Sequence, residues 1–321
     1  ITGYDAMPPI LELKNVSKRF PVDGGGTSGN HLFAVNRVDI SIEQGEVVGL
    51  MGESGAGKTT VARIASCLIS PDCGRVVFNG NEVRSFSAKT LQRQIWPRLQ
   101  MVFQNISGAF DPRFTIAETL REAVEFSGCK KSECHVRAVE LLREVELDDT
   151  HLHRFPHELS TGERQRIGLA RAMAVSPELI ILDEPLSALD LTASAKILKL
   201  LKRLKECHTL SYLVVTHELE TLAVIADRIG VMIDGRIVEI ASTKDILENP
   251  VHPYTQYLVQ SSKRLKTALK DGARPVNRDE DELSHPPAGH RYIPGSGDSG
   301  SDGSCSYAGV CPRSLNTCFH E

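Results

Sequence analysis

No apolar run in this 321-residue chain approaches the ~20 residues that a spanning helix needs; stretches such as Leu179–Leu182 and Leu213–Val215 are far shorter. The chain is therefore not expected to cross a membrane by itself. No charged-then-apolar leader with a small-residue cleavage site stands at Ile1–Ile10, so no secretory signal is read and the expected address is cytoplasmic. A basic excess is missing too. Lys+Arg 37 against Asp+Glu 41 leaves a formal charge of -4, which argues against nucleic acid as the main partner and leaves room only for a local basic patch. Cysteines are largely ungrouped: of eight, those at 67, 73, 129, 134 and 207 are scattered, as free thiols in a reducing compartment would be. Only Cys305, Cys311 and Cys318 form a group.

The chain is 41% hydrophobic and 24% charged, a globular composition that rules out disorder over most of its length. Ile10–Leu13, Val38–Ile42 and Val47–Met51 read as strands. Between the first two, Pro21–Asn30 holds Gly24, Gly25, Gly26 and Gly29 and reads as a mobile surface excursion. Helical patterning follows over Lys58–Leu68, then a strand at Arg75–Phe78 entering the Asn79-Gly80 turn. Ala117–Leu147 carries helical periodicity and many charges, as an inserted helical subdomain would. Strands return at Leu179–Leu182, Leu213–Thr216 and Gly230–Ile233, the last followed by Asp234-Gly235 and Arg236–Ile240 as a hairpin. A mixed sheet flanked by helices is the expected result. Beyond Leu265 the composition shifts to Pro, Gly, Ser and Asp, a linker leading to the cysteine group.

Gly52-Glu53-Ser54-Gly55-Ala56-Gly57-Lys58-Thr59 fits the phosphate-loop pattern GxxxxGK[ST] between an apolar strand and a helical segment. The glycines let backbone N–H groups turn onto a β-phosphate, Lys58 reaches the β/γ oxygens, and the Thr59 hydroxyl suits Mg²⁺, with Thr60 beside it. Ile180-Ile181-Leu182 runs into Asp183 and Glu184 at the strand's C-terminal edge, where α/β sheets hold ligands. Alternation along a strand would send the two acids to opposite sides: Asp183 to the Mg²⁺ shell, Glu184 to an attacking water.

Leu159-Ser160-Thr161-Gly162-Glu163-Arg164-Gln165 resembles the signature motif of the ATP-binding subunits of ABC transporters, and further landmarks follow in that family's order. Gln104 matches the Q-loop, Ser187-Ala188-Leu189-Asp190 the D-loop, and His217 the switch histidine. Phe20 sits where the family stacks an aromatic on adenine, with Phe33 as its rival. Singly, each has a bland reading: Gln104 a surface amide, His217 a capping or core histidine, Ser160 an N-cap with Glu163 completing a capping box. Their order across residues 10 to 240 favours the family. The resemblance implies an α/β, ABC-type P-loop ATPase whose catalytic residues are Glu184, His217 and Gln104. ATP would contact Phe20, Gly52, Ser54, Gly55, Gly57, Lys58, Thr59, Thr60, Gln104 and Asp183, with Ser160, Gly162 and Asp190 contributing in a two-subunit sandwich. Mg²⁺ would take Thr59, Gln104 and Asp183. Two departures stand out, since the family usually has Gly at Thr161 and more often Gln at Glu163. Thr161 brings a Cβ to the approach; tolerance rather than loss is expected, with the composite site it completes a candidate for the weaker of a pair.

The Pro21–Asn30 insertion, Val102-Phe103-Gln104-Asn105 with Asp111-Pro112-Arg113, Asn249–Thr255 and the cysteine tail are similar to the oligopeptide, dipeptide and nickel importer ATPases. That branch implies a second ABC ATPase as heterodimer partner, two membrane permease subunits and an extracytoplasmic solute-binding protein. It also implies a peripheral place on the cytoplasmic face of the inner membrane. The domains expected are 1–265 for the ATPase, with about 105–165 as helical subdomain, and 266–321 as tail. The rival is an ABC ATPase of the same branch serving a soluble multi-enzyme complex, as in carbon–phosphorus bond cleavage. ATP-dependent DNA handling is disfavoured by the acidic balance and the lack of a long coiled-coil insertion. Cys305, Cys311 and Cys318, with Pro312 after the second, match the spacing at which some of these ATPases bind a [4Fe–4S] cluster. Such a cluster normally takes four thiolates, so His320, an upstream cysteine or an exogenous ligand would complete it. Zinc on three cysteines and His320, or free thiols, are the alternatives.

Overall fold

The computed structural model describes residues 8–21 and 31–270, the side chains of Ser107 and of 264–270 apart. Residues 22–30, most of the glycine-rich insertion, and 271–321, with Cys305, Cys311, Cys318 and His320, lie outside the described residues.

Chain order gives β1 (Leu11–Pro21), β2 (His31–Ile42), β3 (Val47–Met51), α1 (Lys58–Ala65), β4 (Cys73–Phe78), β5 (Asn81–Glu82), α2 (Ala88–Thr90) and β6 (Leu99–Val102). Then come α3 (Ile116–Phe126), α4 (Cys134–Glu144), α5 (Thr161–Met173), β7 (Leu179–Asp183), α6 (Leu191–His208), β8 (Ser211–Thr216) and α7 (Leu219–Ile225). β9 (Arg228–Ile233), β10 (Arg236–Ser242), α8 (Thr243–Glu248) and α9 (Pro253–Lys270) close it. Among the described residues no helix is long and apolar enough to cross a membrane.

The strands divide between two sheets. β2-β1-β4-β5 is antiparallel, and β10-β9-β3-β8-β7-β6 is built on parallel neighbours from β9 to β6. Continuous apolar runs explain the second sheet: β3, β7 and β8 are buried along their whole length, as strands covered on both faces must be. α1 packs against strands of both sheets, and its Val61, Ile64 and Ala65 join Leu11, Leu13, Val38, Leu50, Ile181 and Val215 in one core. Burying a side chain such as Ile64 contributes about 1.5–3 kcal/mol, so α1 is held mainly by this face. Between β6 and β7, α3, α4 and α5 pack on one another. Thr115 opens α3 with a complete capping box to Glu118.

Two compact units divide after Val238. In the second, the Glu239 carboxylate accepts the backbone N–H groups of Val251 and His252, at 2.8 Å each, and fixes the chain ahead of α9.

Parallel register decides where the chemistry gathers. Met51 pairs with Thr216, Asp183 with Val215, and Val102 with Leu182, so β3, β8, β7 and β6 end along one edge. The segments leaving that edge carry Gly52, His217, Glu184 and Gln104.

Candidate functional site

Lys58 is 5% exposed, and its Nζ donates to the carbonyls of Gly52 (2.8 Å) and Glu53 (2.7 Å). The loop thus curls around its own lysine. Burial pushes the Lys58 pKa down, opposed by the charges of Glu184, Asp183 and Glu53. Gly57 sits at φ 100, where a Cβ would lie 2.0 Å from the Ala34 carbonyl oxygen, so this position admits only glycine. No side chain caps α1 at Gly57, which leaves its first turn to a ligand. The β9–β10 turn supports the loop from behind, Gly235 N–H donating to the Ala56 carbonyl at 3.1 Å. Ser54 is exposed in the loop and Thr60 is half-buried in α1.

Thr59 Oγ1 donates to Asp183 Oδ1 at 3.2 Å. Asp183 is 2% exposed, and burial raises its pKa; the Thr59 hydrogen bond opposes the rise while the Glu184 charge adds to it. A hydroxyl and a carboxylate together are hard oxygen donors of the kind Mg²⁺ takes, one or two from protein and the rest from phosphate and water. Among the described residues no group of three His, Cys, Asp or Glu side chains could hold a metal unaided. Thr59 and Asp183 therefore fit a cation that arrives with phosphates.

Glu184 corrects one expectation. The strand stops at Asp183, and Glu184 turns to φ 46 with its N–H donating to Val215 O at 2.8 Å. Its direction is set by this left-handed turn rather than by strand alternation; a non-glycine residue held there carries backbone strain of order 1–3 kcal/mol. The turn brings Glu184 Oε2 to Gln104 Nε2 (2.9 Å) and Oε1 to His217 Nδ1 (3.3 Å). The three residues expected to be catalytic thus form one hydrogen-bonded group.

Ser160, Gly162 and Asp190 are arranged differently, at helix starts. Ser160 caps α5 with a capping box to Glu163, and Asp190 caps α6, accepting from Ala193 N–H at 2.8 Å. A Cβ on Gly162 would lie 3.7 Å from Ala193 Cβ, so the two helix starts are neighbours. The Thr161 hydroxyl accepts from Arg164 at 3.2 Å. Phe20 and Phe33 are both exposed on the β1–β2 hairpin, with Lys18 Nζ 5.8 Å from the centre of the first ring and Arg19 Cζ 5.3 Å from the second.

His151 stands outside every motif of the sequence. This ring is 5% exposed and joins Asp148 to Glu163, at 3.1 Å each. The legible signal is Glu163 itself, an acid where the resemblance more often has an amide. A hollow of about 410 Å³ between α4 and α6, lined by residues including Arg137, Arg143, Arg203 and Cys207, contains none of the site residues.

Residues 35–187 match the family "ABC transporter", and residues 238–318 match "Oligopeptide/dipeptide transporter, C-terminal region". The chain is 38% identical over 78% of its length to an oligopeptide transport ATP-binding protein of Bacillus subtilis, covering 78% of that protein. It is 35% identical over 97% of its length to a putative peptide import ATP-binding protein of Brucella ovis, covering 92% of it. Among solved structures it resembles a dimeric ATP-binding cassette in a post-hydrolysis state bound to ADP and Pi, with TM-score 0.65 and 30% identity over 73% of this chain and 98% of that one.

Proposed function

The chain belongs to the ATP-binding subunits of ABC transporters, and on that premise we propose that it hydrolyses ATP to power import of oligopeptides or dipeptides. The observation that carries the proposal is the Gln104–Glu184–His217 group standing on the same sheet edge as the Lys58 loop. Its peptide substrate is supported by relatives whose names specify peptide transport and by the match over 238–318. Those relatives do not favour the soluble-complex reading.

In this mechanism the loop N–H groups and Lys58 bind the β- and γ-phosphates, Lys58 exchanging its carbonyl partners for phosphate oxygens. Thr59, Gln104 and Asp183 would hold Mg²⁺, whose charge would offset that of the phosphates. Glu184 accepts a hydrogen bond from the attacking water and orients it; Gln104 and His217 fix the carboxylate from two sides. His217 also faces the γ-phosphate. Phe20 stacks on adenine. A second subunit of the same family, different in sequence, supplies its own signature serine, while Ser160, Gly162 and Asp190 serve the partner's nucleotide. Opening of this sandwich after hydrolysis moves two membrane permease subunits, to which an extracytoplasmic binding protein delivers peptide. The chain works peripherally, at the inner face of the membrane.

Pull-down from native membranes tests the assembly: permeases and a second ATPase are expected, and a set of soluble enzymes in their place would overturn it. For the tail, the likeness of the Cys305, Cys311 and Cys318 spacing to that of the peptide-importer ATPases supports a structural [4Fe–4S] cluster, completed by His320, an upstream cysteine or an exogenous ligand. Anaerobically purified protein should carry stoichiometric iron; a colourless protein without iron would remove the cluster, and stoichiometric zinc would replace it.

A further inference from the structure

His151 belongs to no motif, yet it lies directly behind the signature serine. Its Nδ1 faces two oxygens of Asp148, the backbone carbonyl and Oδ1, both at 3.1 Å, and its Nε2 faces Glu163 Oε1 at 3.1 Å. All these partners are acceptors. With its hydrogen on Nε2 the ring donates to the Glu163 carboxylate, which can only accept. The second Glu163 oxygen is committed to Ser160: Oε2 accepts the Ser160 backbone N–H and its hydroxyl, each at 2.7 Å. Arg154 adds a further positive charge 3.6 Å from Oε1. Partial burial works against the charged form of Glu163, but the Ser160 and His151 hydrogen bonds outweigh it and bring the carboxyl to about 2.

A carboxylate at this position creates a problem that an amide would not. In the sandwich, Ser160 meets the γ-phosphate of the opposite subunit, and a negative charge one hydrogen bond behind it, which Arg154 at 3.6 Å offsets only in part, repels that phosphate. The same carboxylate competes with the phosphate for the Ser160 hydroxyl proton, because a charged acceptor holds a donor more strongly than a neutral one. We propose that His151 is a positioning residue for the signature motif: by donating to Glu163 Oε1 it draws the carboxylate's charge away from Ser160, keeps the carboxylate on the Ser160 backbone and lets the serine hydroxyl turn to the partner's phosphate. This inference rests on the reading that Ser160 completes the partner subunit's site.

The test uses the assembled transporter, measuring Mg-ATP hydrolysis in His151→Leu, in His151→Leu/Glu163→Gln and in Ser160→Ala, with the thermal midpoint of each purified subunit. His151→Leu should raise the KM for ATP about fivefold or more, the scale of one lost hydrogen bond. The added Glu163→Gln should bring it back to within about twofold, because the repulsion has gone with the charge. Lost packing alone cannot produce that rescue, since the second change restores no volume at His151. An unchanged KM in His151→Leu, or a double variant no better than the single one, overturns the proposal provided Ser160→Ala is impaired. If Ser160→Ala hydrolyses ATP at the parental rate and KM, the underlying reading of the composite site fails instead.

Discussion

Thr59 and Asp183, 124 residues apart in sequence, meet through a 3.2 Å hydrogen bond at the edge where β3 and β7 end. Burial is the main reason the Asp183 pKa is raised. An acid whose folded pKa lies above its unfolded value costs the fold stability as pH rises through that interval, and the cost is fully present above the folded value. Asp183→Asn should therefore raise the thermal midpoint of nucleotide-free protein at neutral pH while lowering Mg-ATP turnover by about 10² or more. Thermal melts with and without Mg-ATP check both halves; a lower midpoint without nucleotide would count against the burial argument.

Lys58 spends its charge on two backbone carbonyls and is held in a desolvated place. Replacing it by Ala removes the direct phosphate contact, so nucleotide affinity itself should fall by about tenfold or more. Equilibrium binding of a fluorescent ATP analogue measures this, and parental affinity would count against the loop assignment.

Gly57→Ala and Gly80→Ala separate two costs. Both glycines have positive φ, 100 and 75, but only at Gly57 would a Cβ strike backbone, 2.0 Å from Ala34 O. Urea unfolding should show about 1 kcal/mol lost at Gly80 and about 3 kcal/mol or more at Gly57. Equal losses would show that the Ala34 strand gives way easily.

Much of this architecture is readable from one sequence because its strands are continuous apolar runs and its loop motif is local. Val47–Met51 leads into the phosphate loop, and Leu179–Asp183 delivers its acid at the strand end, both as expected. β6 is harder to see: Leu99–Val102 is four residues long and half-exposed at Gln100 and Met101, so it shows neither alternation nor a long run. The division into two sheets depends on pairing over long separations, such as β1 with β4, which no local pattern encodes. Glu184 gives no sign of its left-handed turn, which follows from its N–H bonding to Val215 on a neighbouring strand. His151 is invisible for the same reason, since the Glu163 side chain that defines it lies on another element.

In the proposed reaction Glu184 directs the attacking water, and Gln104 and His217 hold its two oxygens. Glu184→Gln keeps shape and hydrogen bonding but loses the charge that polarises water. In the reconstituted complex this variant should bind ATP with parental affinity, remain locked as a sandwich and lose turnover by about 10² to 10³. Hydrolysis at the parental rate in that complex would contradict the assignment.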